Sequence, residues 1–268
     1  MPTHTIILAH GVLGFGRYFG LPLPIDSPID PPIAYFNGVA RHLQKRVDLV
    51  LEPQVSPIGS IAERAETLAK VISLQPPGRI DVIAHSMGGL DARYALARMP
   101  DVAARVTALV TIGTPHKGSP VADAVCNHIP NALTQAIPEF IKNQAGALKD
   151  LTTESAKEFN ATTRDAPGVR YYNIAGDARK GTPSLFYPLA TLLEQSNPEI
   201  NDGLVLKSSA LYEGHTHLED WPVDHAGEIG WGTEEPFPIF DILPITTSAH
   251  LKRYDALLTL ILSLPGRS

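Results

Sequence analysis

The chain has 268 residues, of which 44% are hydrophobic and 19% are charged, and its formal net charge is −6. This length predicts one large domain, residues 1–268, with a sizeable buried core. The mild acidity and the lack of a basic run argue against nucleic-acid binding and against electrostatic docking on anionic membranes, because both need clustered Lys and Arg.

Cysteine usage and apolar runs narrow the class of protein further. Cys126 is the only cysteine, so neither an internal disulfide nor a cysteine zinc cluster can form. The first residues lack the basic segment and cleavage site of a secretion signal, and no apolar run has the ~20 residues that span a bilayer. We therefore expect no cleaved signal and no transmembrane segment. The sequence does not decide between a cytoplasmic protein and one that is secreted without a cleavable signal peptide.

The first third of the chain predicts two strands and a helix. The apolar run from Thr5 to Ala9 is typical of a strand buried on both faces of a parallel sheet. A loop rich in Gly and Pro follows over residues 13–32, and residues 49–51 predict a weaker strand. Residues 60–75 predict a helix, because Ser60 and Glu63 have capping-box spacing and apolar residues recur at helical spacing.

Strands and helices alternate along the rest of the chain. Apolar runs predict strands over residues 79–84, 106–112 and 169–175, and helices are expected between Ser86 and Pro100 and over residues 249–262. This alternation predicts an α/β fold with a mostly parallel central sheet and helices on both faces.

Residues 80–90 carry the clearest chemical signal. Ser86 stands between an apolar strand and a helix, and the small residues Ala84 and Gly88 lie two positions before and after it. This is an alanine variant of the nucleophile elbow of the α/β-hydrolase fold, in which a strained turn presents the serine hydroxyl above the sheet. A serine that merely caps a helix is disfavoured by the glycine pair after it, so we predict Ser86 to be a nucleophile.

Two oxyanion donors and two further triad members are expected in such a site. The backbone N–H groups of Met87, after the serine, and of Val12, after the first strand, are the candidate donors. The fold demands an acid and then a histidine after the serine, and Asp202, on a turn, and His225, 23 residues later, satisfy that order. In this prediction His225 deprotonates Ser86 and Asp202 fixes the imidazole tautomer.

Several residues compete with these assignments. Asp177 directly follows a predicted strand and is the alternative acid, while His215, His217 and His250 compete with His225. His215 and His217, with carboxylates nearby, also have the composition of a metal site, although a solvated polar loop is the favoured interpretation of that cluster.

Residues 118–165 form the longest insertion between predicted strands and are the expected cap or lid. Its apolar positions Ile129, Leu133, Ile137 and Phe140 follow one helical stripe, which Pro138 must interrupt or kink. These four residues, with Leu13 and Phe15 of the first loop, are the candidate pocket residues. The alternatives are a mobile lid with an apolar underside and a fixed cap helix whose stripe is core.

Taken together, the motifs resemble the bacterial true lipases, also called family I lipases. The resemblance rests on residues 7–15, 35–38, 84–90, 113–119, 159–160, 201–205 and 224–225. It implies an α/β-hydrolase fold, hydrolysis of acylglycerols at an oil–water interface, a triad of Ser86, Asp202 and His225, and oxyanion donors at Val12 and Met87.

The chain departs from that family in three respects. Those lipases commonly bind a structural calcium through an aspartate two residues after the catalytic histidine, but this position is Gly227. The disulfide found in many members cannot form here. The chain also shows no secretion signal, so the dedicated folding partner that accompanies secretion in many members is not implied. We therefore expect no cofactor, no metal and no folding partner, as in a smaller branch without signal or disulfide.

The sequence thus predicts a serine lipase or carboxylesterase that acts through an acyl-enzyme. A short-chain carboxylesterase and a polyester hydrolase are alternatives within the same chemistry. A non-catalytic binding protein that has kept the fold, and metal-dependent hydrolysis through His215 and His217, are alternatives of different classes.

Overall fold

A computed structural model describes residues 3–12, 34–127, 132–180, 186–231 and 249–264, together with the backbone of residues 17–18 and 21–22. The strands are β1 (Thr3–Ala9), β2 (Arg17–Tyr18), β3 (Leu21–Pro22), β4 (Leu49–Leu51), β5 (Gly78–His85), β6 (Val106–Ile112), β7 (Arg170–Gly176) and β8 (Thr216–Trp221). Six of them form a parallel sheet in the order β4-β1-β5-β6-β7-β8, whereas β2 and β3 form a separate antiparallel pair.

Helices occupy the connections between these strands. They are α1 (Val39–Leu43), α2 (Ile61–Leu74), α3 (Met87–Arg98), α4 (Pro100–Ala103), α5 (Pro120–Cys126), α6 (Ala132–Ala136), α7 (Glu139–Lys142), α8 (Ala145–Leu148), α9 (Thr153–Thr162), α10 (Tyr187–Ser196), α11 (Lys207–Ala210) and α12 (Ala249–Ser263). Two 3₁₀ turns cover Lys149–Leu151 and Gly227–Ile229.

The sheet is buried on both faces, as the apolar runs predict. Side chains alternate across β1, so that Ile7 packs with α2 and α3 on one face while Ile6 and Leu8 pack with α1 and α12 on the other. The predicted α/β architecture with helices on both faces is confirmed. Parallel strands end at the same edge of the sheet, and the loops that follow β1, β5, β6 and β7 therefore meet there.

Helix α2 shows why the local sequence was enough to predict the helix in this region. Ser60 accepts a hydrogen bond from the Glu63 backbone, and the Glu63 carboxylate accepts one from the Ser60 backbone, which completes the predicted capping box. The helix proper begins at Ile61 because Ser60 is its N-cap. Burial of Ala65, Leu68 and Ile72 follows the predicted stripe.

Three regions differ from the sequence-based expectation. Residues 13–32 are predicted as a loop, but Arg17–Tyr18 and Leu21–Pro22 within them pair as the short strands β2 and β3. Strand β8 was not predicted, because it lies at the edge of the sheet and its Thr216–Trp221 segment is largely exposed, so it lacks an apolar run. The expected stripe of the 118–165 segment is divided between short helices, because Pro138 has no N–H to continue α6 and instead precedes α7. Ile137 is buried, Leu133 is half-buried and Phe140 is 44% exposed, whereas Leu13, Phe15 and Ile129 lie outside the described residues.

Candidate active site

Ser86 occupies a strained turn between β5 and α3. Its φ of 56° and ψ of −133° make it the one non-glycine residue with a positive φ in the described part of the chain. Such a conformation persists only where the surroundings enforce it. The turn is packed closely against the backbone that follows β1, because a β-carbon on Gly88 would lie 2.8 Å from the His10 carbonyl oxygen. The turn therefore has the geometry of the predicted elbow.

His225 and Asp202 meet in a short hydrogen bond. His225 Nδ1 lies 2.8 Å from Asp202 Oδ2, and the His225 backbone N–H donates to the Asp202 carbonyl at 2.9 Å. Asp202 Oδ1 accepts the N–H groups of Leu204 and Val205 at 2.8 and 2.7 Å, which fixes the carboxylate. Because the carboxylate only accepts, the His225 proton resides on Nδ1 and Nε2 keeps its lone pair.

Ser86 and His225 line one cavity of about 320 Å³. Its walls are mostly apolar and come from the β1 loop, from the 118–165 segment and from the loops around α10 and α11. The apolar lining residues include Val12, Val121, Phe140, Ile141, Leu148, Leu151, Phe186, Leu204, Ile229 and Trp231. Of the predicted pocket residues, Phe140 lines this cavity.

The turn after β1 lies directly against the serine. A β-carbon on Gly11 would come within 2.6 Å of Ser86 Cβ, so only glycine permits this approach. Val12 follows in the cavity wall, and Met87, on the other side of the serine, is the first residue of α3. Both predicted oxyanion donors are thus adjacent to Ser86, and the N-terminus of α3 adds its positive dipole end.

Buried side chains hold this turn in place. The Val55 N–H donates to His10 Nε2 at 3.1 Å, so His10 Nδ1 carries the proton and donates to the Gly11 carbonyl at 2.9 Å. Arg64 donates to the carbonyls of His10 and Gly11 at 2.7 and 3.2 Å and pairs with Asp91. Burial, with the nearby Arg64 charge, lowers the pKa of His10 to about 4.

The competing residues lie elsewhere. Asp177 accepts hydrogen bonds from Arg179 and faces Lys180. His250 donates from Nε2 to the Asn37 carbonyl at 2.6 Å.

His215 and His217, the suggested metal ligands, are bound to different carboxylates. His215 Nε2 lies 2.8 Å from Asp165 and His217 Nε2 lies 3.0 Å from Asp220, so the two imidazoles face different carboxylates. His217 sits in a strand rather than in the polar loop that the sequence suggested.

One carboxylate near His225 escaped the sequence analysis. Glu228 is fully buried, and its Oε2 lies 2.9 Å from His85 Nε2 and 3.4 Å from His225 Nδ1. Burial, and then the charges of Asp202 and Asp224, raise the pKa of Glu228 well above its usual range. The available sequence signal was its position three residues after His225, on the same turn.

Among the described residues, His85, His225 and Glu228 form the cluster with metal-ligand spacing, with ligand atoms within 4.8 Å of one another. Those atoms are already hydrogen-bonded, His85 to Glu228 and His225 to Asp202.

The loop around His225 does not fit the calcium that the family resemblance implies. Gly227 offers no carboxylate, and its carbonyl accepts a hydrogen bond from Arg253 at 3.2 Å. The two carboxylate oxygens of Asp224 accept the N–H groups of Phe186 and Gly227 at 2.9 and 2.8 Å. Calcium requires several oxygens without bound donors, so these residues do not form a cradle for it.

Comparisons with known proteins find similarity to lipases and esterases. Residues 58–161 match the family described as PGAP1-like alpha/beta domain. Triacylglycerol lipase 2 of Saccharomyces cerevisiae is 33% identical over 74% of this chain, which spans 63% of that protein's length. A triacylglycerol lipase of Vibrio cholerae is 28% identical over 91% of this chain and 84% of its own.

A solved structure supports the fold. The mature form of a Bacillus licheniformis lipase superposes with a TM-score of 0.67 at 21% identity, over 90% of this chain and 91% of that chain. In the described part of the chain, no helix has the length and apolarity to cross a membrane. The chain is thus similar to triacylglycerol lipases, and its parallel sheet with helices on both faces is consistent with the α/β-hydrolase fold.

Proposed function

We propose that this protein hydrolyses carboxylic esters of acylglycerols through an acyl-enzyme on Ser86. One observation carries the proposal: a strained serine and an Asp202-bound histidine line the same apolar cavity. The relatives named triacylglycerol lipases support the substrate class.

The geometry supports a two-step acyl transfer. His225 Nε2 takes the Ser86 proton as Oγ attacks the ester carbonyl carbon, and Asp202 stabilises the resulting imidazolium. The N–H groups of Val12 and Met87 receive the carbonyl oxygen as it becomes negative. The tetrahedral intermediate then expels the alcohol, which takes the proton from His225. Water, deprotonated by His225, attacks the acyl-enzyme and releases the acid by the same route.

The cavity suggests how the acyl chain binds. Its apolar walls exclude water from the chain, and the 118–165 segment supplies Phe140, Ile141, Leu148 and Leu151 to one side. We propose that this segment is the cap of the site and that residues 1–268 act as one catalytic domain.

Removal of the nucleophile is the direct test. Ser86→Ala is expected to lower kcat by several decades, up to ~10⁶, because an alanine side chain cannot form the acyl-enzyme. An organophosphate should label the wild-type protein at Ser86 and leave the variant unlabelled, which separates an enzyme from a binding protein.

A matched control is available in Ser60, which also directly precedes a helix. Ser60→Ala should lower stability by ~1 kcal/mol through loss of a cap while kcat stays unchanged. Near-normal ester turnover by Ser86→Ala would refute the proposed function.

A second candidate is a carboxylesterase for short acyl chains. The volume of about 320 Å³ lies at the small end of ligand pockets, ~300–1,000 Å³. A chain-length series of p-nitrophenyl esters, run beside a triacylglycerol emulsion, distinguishes the two. A lipase should prefer the emulsion, whereas an esterase should prefer dissolved esters with short chains.

A further inference from the structure

Three buried side chains outside the triad form a continuous hydrogen-bonded chain. The Tyr35 hydroxyl lies 2.7 Å from His85 Nδ1, and His85 Nε2 lies 2.9 Å from Glu228 Oε2. All three residues are at most 5% exposed. Such a buried chain fixes its members relative to one another, since each lost bond would leave a polar group unsatisfied.

The hydrogen-bonded row of Tyr35, His85 and Glu228 contacts each loop that carries a reacting group. At one end, the Tyr35 hydroxyl lies close against Gly11, where a β-carbon would be 2.8 Å from the Tyr35 oxygen, directly before the oxyanion donor Val12. In the middle, His85 precedes Ser86, and its ring centroid lies 4.4 Å from that of His225. At the other end, Glu228 Oε2 lies 3.4 Å from His225 Nδ1.

Two glycines make room for the Glu228 end. A β-carbon on Gly113 would collide with the Glu228 carboxyl group, and one on Gly176 would lie 2.6 Å from Oε1. Gly113 has a φ of 54°, which favours glycine for a second reason. The carboxyl group thus occupies a slot at the ends of β6 and β7, where a small change in its position would be transmitted to His225.

The proton positions follow from burial. Burial lowers the pKa of His85 well below its usual range, and the nearby His225 lowers it further, so the imidazole is neutral. Burial also raises the pKa of Glu228, which favours the protonated carboxyl group. Glu228 then donates to His85 Nε2, and His85 Nδ1–H donates to the Tyr35 oxygen. A neutral Glu228 leaves Asp202 as the anion that bonds His225.

We propose that Tyr35, His85 and Glu228 act as one positioning unit, which holds the Gly11–Val12 turn in register with Ser86 and His225. The proposal rests on the proposed function. We choose Tyr35 for the test because its hydroxyl lies between the Gly11–Val12 turn and His85. Misplacing an oxyanion donor weakens binding of the transition state while leaving ground-state binding almost intact.

The experiment compares Tyr35→Phe with Tyr171→Phe. Tyr171 is the matched control because its hydroxyl makes a hydrogen bond outside the cavity, in which it accepts the Ala166 N–H at 2.9 Å. Tyr35→Phe should lower kcat per active site about 10- to 100-fold with KM within about threefold. The inhibition constant of a trifluoromethyl ketone, which forms an oxyanion-bearing adduct with the serine, should rise by a similar factor. Tyr171→Phe should leave all three unchanged.

Active-site titration with an organophosphate keeps this test separate from the proposed function. If the wild-type protein is not labelled at Ser86, the proposed function fails. If it is labelled and turns over, the positioning unit is refuted by a kcat of Tyr35→Phe within threefold of wild type. It is equally refuted by an unchanged inhibition constant, or by the same loss in Tyr171→Phe.

The Glu228 end supplies an independent variant pair. Glu228→Gln keeps a neutral donor to His85 and should retain far more kcat than Glu228→Met, which interrupts the chain. If the two variants lost kcat equally, a hydrogen-bonded positioning role for Glu228 would be wrong. If Glu228→Met fails to fold, Glu228→Gln alone still tests the role. A Glu228→Gln variant with a kcat as low as that of Tyr35→Phe would also refute a hydrogen-bonded positioning role for Glu228.

Discussion

At the scale of single residues, Asp177 and Asp202 show how two equally buried carboxylates come to face different partners. Both follow strands or turns at the same edge of the sheet, and both are at most 1% exposed. Asp202 is oriented by two backbone N–H groups towards His225, whereas Asp177 is held by Arg179 and Lys180. The orientation set by these partners, rather than burial, distinguishes them.

The pair therefore gives a matched prediction. Asp202→Asn should lower kcat by ~10⁴, because the amide no longer holds the His225 tautomer with its proton on Nδ1. Asp177→Asn should leave kcat within about threefold and lower the thermal midpoint, since its basic partners lose an anion. Steady-state kinetics and thermal unfolding of both variants decide the matter, and a reversed pattern would make Asp177 the acid.

His10 predicts a pH dependence of stability. Its folded pKa of about 4 lies below the ordinary value of 6.5, mainly because it is buried. The unfolded chain therefore binds a proton between pH 6.5 and 4 that the folded chain does not. The contribution of His10 is complete above pH 6.5 and falls by about 3 kcal/mol as the pH drops to 4.

Urea unfolding at pH 7, 5.5 and 4.5 measures this effect. The free energy of unfolding of the wild-type protein should fall more steeply with acidity than that of His10→Asn, which cannot titrate. Parallel pH curves for the two proteins would contradict a depressed pKa at His10.

The short helices of the 118–165 segment are the clearest case at the scale of elements. Pro138 separates α6 from α7, and this break places Ile137 inside while Phe140 lies at the cavity with 44% of its surface exposed. An exposed aromatic side chain at the mouth of an apolar cavity is costly in water and favourable against lipid.

Phe140→Ser should therefore reduce activity on emulsified triacylglycerol several-fold more than activity on a dissolved ester. Leu74→Ser, at an 82% exposed position of α2, is the control and should change neither. Equal losses on the two substrates would assign Phe140 to acyl binding rather than to interfacial contact. Activity ratios measured on both substrates provide the comparison.

At the scale of the whole molecule, the sheet brings together residues that are far apart in sequence. Gly11, Ser86, Asp202 and His225 come from loops at one edge of the parallel strands. Direct protein contacts, such as the hydrogen bond from Arg253 to the Gly227 carbonyl, hold the His225 loop.

Calcium removal should therefore have no effect. Dialysis against a chelator is expected to leave both the thermal midpoint and the ester hydrolysis rate unchanged, and added calcium should restore nothing. A lower midpoint that calcium reverses would disprove this expectation and place the ion at another site of the chain.

Local sequence by itself determined five of the six strands of the parallel sheet, all but the exposed edge strand β8, together with the capped helix α2 and the tight turn at Ser86, because these depend on residues next to one another in the chain. It also favoured Asp202 as the partner of His225, although chain order equally allows Asp177. Tertiary structure alone decided that Asp202 rather than Asp177 meets His225, that Arg64 and Tyr35 lie against the Gly11 turn, and that Glu228 is hydrogen-bonded to His85. These contacts join segments tens to hundreds of residues apart, and burial sets their protonation, so no local pattern records them.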